Sequence, residues 1–145
     1  MLACLRIYLG LTFLNPSVHR LFASGFQPRM EMFLQNVAPN ASPFYSHFLT
    51  SFVLPHSAGF AVAVEIGELT VGALLLTGAA TRLASLGAMF LLVNYMLAKG
   101  LWFWQASSND AAFFAIALAL LLGAAGRTFG LDRYLAERWP AVPLW

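Results

Sequence analysis

Four apolar runs, at about 2–23, 57–79, 82–105 and 109–126, constrain this chain more than any other feature. A helix needs roughly 20 mainly apolar residues to cross the hydrocarbon of a bilayer, and each run comes close to that length. Charged residues make up 10% of the chain and apolar residues 60%. A soluble domain carries about 25% charge, so this surface cannot meet water on all sides. The mean hydropathy of +0.73 agrees. The expectation is an all-α membrane protein: one domain over residues 1–145, built as a four-transmembrane-helix bundle.

The first run is the least regular, because Arg6 lies inside it and Asn15-Pro16 interrupts it. A long connection, about 24–56, follows and is broken by Pro28, Pro39, Pro43 and Pro55. Its pieces RMEMFLQNVA and SPFYSHFLTSFVL are short and amphipathic, which suits helices lying along the interface or over the bundle mouth. The turn at Ala80-Thr81-Arg82 is too short for anything but an antiparallel hairpin. At the C-terminus, LDRYLAERW spaces Leu131, Tyr134, Leu135 and Trp139 along one helical face, the pattern of an interfacial helix.

Four spans place both termini and the 80–82 turn on one side. Arg6, Arg82, Arg127, Arg133 and Arg138 fall there, against Arg20, Arg29 and Lys99 opposite. Positive residues favour the cytoplasmic side, so both termini are expected in the cytoplasm, with the long connection outside.

Several function classes lose support at this stage. A formal charge of +2, scattered along the chain, offers no footprint for nucleic acid. The single cysteine, Cys4, permits no internal disulfide and no C-x-x-C carrier. His19, His47 and His56 match no metal-ligand spacing. No intrinsic cofactor and no metal are therefore expected. Phosphate-loop, dinucleotide, zinc-protease and hydrolase signatures do not occur.

The most informative stretch is AVAVEIGELTVGALLLTG, residues 61–78, which places Glu65 and Glu68 inside a membrane-length run. They are three apart, hence on one helical face, and Gly72 continues that face. An acid beside a glycine suggests close packing against another helix. A carboxylate in hydrocarbon costs several kcal/mol unless it is paired, protonated or wet. Arg6 is the partner expected from the sequence, with Asn94, in the third run, as a further donor. Two readings stand: a buried clasp that sets helix register, or a proton, quinone or substrate site made by Arg6, Glu65, Glu68 and Asn94. Asn109 and Asp110 open the fourth run. Ser107, Ser108 or Asn109 suits a helix cap and Asp110 suits the positive end of the helix dipole; a polar pocket at the outer mouth is the alternative.

Three stretches carry a family resemblance: LRIYLGLTFL, VEIGELTVGALLLTGAATRLASLGAMFL and SSNDAAFFAIALALLLGAAGRTFGLDRYL. In this order they resemble the DoxX family of small four-helix membrane proteins, including its DoxD branch. The resemblance implies a subunit of a thiosulfate:quinone oxidoreductase, with quinone as the electron acceptor and other membrane subunits as partners in the lipid bilayer. It also implies functional positions at Arg6, Glu65, Asn109, Asp110, Arg127 and Asp132, with Arg82 in the Thr-Arg turn. The chain departs from the family pattern late in its first run, where it has Asn15-Pro16 and His19-Arg20, and in its long outer connection. A non-catalytic subunit stabilising a larger respiratory or photosynthetic assembly is the alternative. A small transporter fits less well, because no internal repeat or broken-helix pair occurs.

Overall fold

The computed structural model describes residues 2–22, 26–103, 105, 109–123, 125–127 and 130–139; the side chains of residues 21, 22, 26, 27 and 127 lie outside that description. Every element in it is helical. In chain order the helices are α1 (Leu2–Phe22), α2 (Phe26–Val37), α3 (Pro43–Phe48), α4 (Ser57–Thr77), α5 (Thr81–Lys99), α6 (Asp110–Leu122) and α7 (Asp132–Arg138). A π-turn (Leu49–Val53) and a 3-10 turn (Leu54–His56) link α3 to α4. The result is one helical run from Pro43 to Thr77.

Among the described residues two runs, Pro43–Thr77 and Thr81–Lys99, are long and apolar enough to cross a membrane; α6 is apolar but shorter. The apolar surface is as telling as the interior. Phe90 is 68% exposed and Leu122 76% exposed, at positions where a water-soluble bundle would carry charge. This is a membrane protein.

Helices α1, α4, α5 and α6 form a ring: α1 packs on α4, α4 on α5, α5 on α6, and α6 back on α1. Leu9, Phe13, Leu75, Ala88, Ala117 and Leu120 fill its centre. The α1–α4 crossing is backbone against backbone. A Cβ on Gly10 would lie 2.9 Å from Leu76 N, and one on Gly72 would lie 3.0 Å from Leu14 N. Small residues let helices approach this closely, which is how helices associate where lipid removes the hydrophobic drive. The tight packing expected at Gly72 is therefore observed, and its partner is α1.

The element ends differ from the sequence reading in four places. Asn15-Pro16 does not interrupt α1, which continues with Pro16 inside it. A proline forfeits one helical hydrogen bond, and α1 carries that loss without breaking. The third run stops at Lys99 rather than about 105, because Gly100 adopts φ +66° and Leu101 N–H turns back to Met96 O. The fourth stops at Leu122 rather than about 126, with Gly123 as its cap. Asn109 occupies the N-cap position of α6 but its side chain makes no capping bond; Ser107 and Ser108 lie outside the described residues.

The 24–56 connection folds as a helical hairpin against the ring. Leu34 and Ala38 meet Tyr45, Leu49 and Val53, and Ala98 of α5 completes the cluster. Two polar ties fasten it: Tyr45 O–H donates to Asn94 Oδ1 (2.8 Å), and Ser57 O–H donates to Glu31 Oε1 (2.5 Å). Phe44 and Phe52 of the same hairpin point away and are exposed.

Candidate functional site

Side chains on a helix lean toward its N-terminus. In an antiparallel ring this lean decides which polar groups meet. Arg20 stands near the C-terminus of α1 and leans inward, toward the middle of the bundle. Glu68 on α4 leans the opposite way along the shared axis, toward the end that carries Arg20. Tyr95 sits near the C-terminus of α5 and, like Arg20, leans inward. The three converge.

Glu68 is 7% exposed and its carboxylate is held on both oxygens. Oε2 forms an ion pair with Arg20 Nη2 and lies 2.9 Å from Ser17 Oγ. Oε1 accepts from Tyr95 O–H at 2.5 Å. Ser17 Oγ also accepts from Arg20 Nη2 at 3.1 Å and sits 2.8 Å from Phe13 O, so its single proton serves one of two acceptors. Next to this network Lys99 Nζ pairs with Asp110 Oδ2 at 2.6 Å. Arg20 and Asp110 are both near enough for their charges to act on Tyr95. This layer, called outer because it lies at the end of the ring that carries the 24–56 hairpin, thus sets two cations, Arg20 and Lys99, against three carboxyls, Glu65, Glu68 and Asp110.

Glu65 lies on the same face of α4, one turn from Glu68. Its environment differs sharply. Its Oε1 is buried and has no hydrogen-bond partner among the described residues.

A second polar layer closes the opposite end of the bundle. Arg6 is 1% exposed and donates from Nη1 to Ala125 O at 3.2 Å. Asp132, also 1% exposed, accepts from Thr81 N–H at 2.9 Å, while its own N–H bonds Gly78 O at 2.8 Å. Asp132 is close enough for its charge to act on Arg6. Gly78 ends α4 in the left-handed region at φ +67°, and any Cβ there, or on Gly130, would collide with Arg6 Nη1. Glycine serves here twice, supplying a backbone turn that L side chains resist and the slot in which the guanidinium lies.

These positions revise the pairing expected from sequence. Arg6 does not clasp Glu65 or Glu68. It sits against Gly78, ten residues beyond Glu68 on α4, which is about 15 Å along a helix axis. Near the N-terminus of α1 its lean carries it outward, away from the acids. Asn94 does not reach them either: its Nδ2 donates to Phe90 O (2.8 Å) and its Oδ1 serves Tyr45. Of the four residues assigned to an inner site, the structure keeps Glu65 and Glu68 together and sends Arg6 and Asn94 elsewhere. Asp110 joins the outer layer, whereas Asn109 is exposed beside it. Arg82 is half-buried at the start of α5, and the Arg127 side chain lies outside the described residues.

Ser17, Arg20, Tyr95 and Lys99 escaped the sequence reading. A signal existed. Phe13, Ser17 and Arg20 recur at helical spacing on one face of α1, and the direction of lean would have favoured Arg20 over Arg6. The three histidines do not gather: His47 contacts Ser51 Oγ (3.3 Å) and His56 contacts Phe52 O (2.9 Å), each within its own helical turn, and His19 is exposed.

No curated protein and no solved structure gives a significant match to this chain. A family model described as "TQO small subunit DoxD", TQO being thiosulfate:quinone oxidoreductase, matches residues 1–143. That match covers nearly the whole chain, including both polar layers. The chain belongs to the DoxD family.

Proposed function

We propose that this protein is the small integral membrane subunit of a thiosulfate:quinone oxidoreductase, and that its outer polar layer is where quinone meets the chain. The reading has α1, α4, α5 and α6 crossing the cytoplasmic membrane of a bacterium or archaeon, with both termini inside. The α2–α3 hairpin and α7 then lie at the two interfaces. Exposed Tyr134 and Trp139 on and beside α7 suit a headgroup boundary. A reporter fused after Trp145 that becomes active only outside the membrane would overturn this topology.

The observation that carries the functional reading is the buried Arg20–Glu68–Tyr95–Ser17 network between α1, α4 and α5. Ionisable groups at such depth are expensive and mark functional sites by default. The residues suit a quinone, whose ring is apolar and whose two oxygens need hydrogen-bond partners. The ring of helices supplies the first environment. The Arg20, Ser17 and Tyr95 side chains carry the donors that quinone oxygens need, and the carboxylates are acceptors for the hydroxyls of the reduced quinol. Quinone would accept electrons that another subunit takes from the sulfur compound. This chain's own part is to hold the head group and keep its polar edge out of hydrocarbon.

The test is thiosulfate-dependent reduction of decylubiquinone in membrane vesicles from cells with and without this chain. The expected result is loss of that activity on deletion and its return on complementation. An undiminished rate in the deletion strain sinks the proposal and favours a non-catalytic accessory role.

A further inference from the structure

Glu65 and Glu68 look equivalent in sequence, yet the fold treats them differently. Among the described residues, Arg20, Ser17 and Tyr95 all engage Glu68. Lys99 goes to Asp110. Glu65 keeps a carboxyl oxygen that is buried from solvent and without a hydrogen-bond partner among the described residues. Its side chain as a whole is only half-buried, and its neighbours Val62 and Ile66 are 56% and 58% exposed on the outward face of α4. One carboxyl oxygen is thus shielded from solvent, while the side chain stands at the edge of the ring beside the exposed Val62 and Ile66.

A buried polar atom without a partner destabilises the fold. Leucine at this position would remove that penalty and suit the apolar ring. Sites that break a local rule without structural gain are where function resides. Resting on the quinone reading above, we propose that Glu65 is the ligand-contacting residue of the outer layer, its free oxygen accepting a hydrogen bond from the hydroxyl of a quinol head group. Glu68 is the positioning residue. By engaging Arg20, Ser17 and Tyr95 it leaves Glu65 uncommitted, one helical turn away.

This division of labour makes opposite demands on stability and binding, which is what separates it from a structural role. The experiment uses the full chain, with any subunits that copurify, in lipid nanodiscs. Binding is read from fluorescence quenching of the quinol analogue 2-heptyl-4-hydroxyquinoline N-oxide, and stability from thermal unfolding of the same samples. Glu65→Leu should weaken the analogue about tenfold, the loss of one hydrogen bond, with a Tm equal to or above wild type. Glu65→Gln, which keeps an acceptor oxygen, should restore part of the affinity. If Glu65→Leu binds the analogue as wild type does, Glu65 is not the contact, and the quinone reading survives without it. A Tm lowered together with affinity in both variants shows a structural role and overturns the proposal. If the wild-type protein does not quench the probe at all, the quinone reading itself fails, and this assignment with it.

Discussion

Arg20→Ala should lower the stability of the detergent-solubilised protein by about 3–5 kcal/mol, the usual result of leaving one member of a buried ion pair uncompensated. The reason lies in what remains. Glu68 is 7% exposed, and without Arg20 its partners are two neutral hydroxyls, Ser17 and Tyr95. Adding Glu68→Gln to Arg20→Ala should recover a large part of the loss, because the second change removes the stranded charge. Arg6→Ala combined with Glu68→Gln should show no such recovery. Those two residues occupy different layers, and effects of groups more than about 10 Å apart are close to additive. Thermal unfolding of the four variants beside wild type gives the answer. Wild-type stability in Arg20→Ala, or rescue of Arg6→Ala by Glu68→Gln, would show that the pairing described here is wrong.

The second large effect belongs to Asp132. Its carboxylate accepts the Thr81 N–H at the start of α5 and neighbours Arg6. One side chain therefore caps a helix and balances a buried guanidinium. Asp132→Ala removes both functions, and a loss of about 2–3 kcal/mol is expected, the cost of leaving buried polar groups without a partner. Asp132→Asn should fall between, since an amide oxygen still accepts from Thr81 but no longer offsets Arg6; a capping acceptor alone is worth about 1 kcal/mol. The damage should be local first. The bond from Asp132 N–H to Gly78 O ties α7 to the end of α4, so hydrogen exchange across residues 130–139 should accelerate before the ring itself loosens. Unchanged protection of that segment in Asp132→Ala would refute the latch.

Both predictions concern buried charge, and in both the chemistry was visible in sequence while the pairing was not. The acids inside an apolar run required partners, and partners are present. Arg6 was the plausible candidate because a long side chain in the first run can reach far. The lean of helical side chains excludes it, since near the N-terminus of α1 that lean points away from Glu68. Arg20, fourteen residues later on the same helix, leans toward it. The correct choice needs the direction of α1 relative to α4 and the register of their crossing, which Gly10 and Gly72 set by backbone contact. Asn94 illustrates the same point. It was expected to serve the acids, and it fastens the outer hairpin through Tyr45 instead, a contact between residues 49 positions apart that no local pattern encodes.

The sequence by itself determined that the chain is helical, that it suits a membrane and that 61–78 sets two acids on one helical face. These follow from local quantities: run length, hydropathy, and the 3.6-residue spacing that puts Glu65, Glu68 and Gly72 on one face. Gly100 and Gly123 as helix ends were equally local, although apolar residues beyond them concealed where α5 and α6 stop. The tertiary structure alone decided how seven polar residues of the outer layer divide among themselves. Hydrogen bonds and ion pairs form over about 3 Å, whereas the positions that meet, Ser17 with Glu68 and Glu68 with Tyr95, are 51 and 27 residues apart in the chain. Only the packing of α1, α4 and α5 brings them within that distance, and the same packing leaves one oxygen of Glu65 without a partner among the described residues.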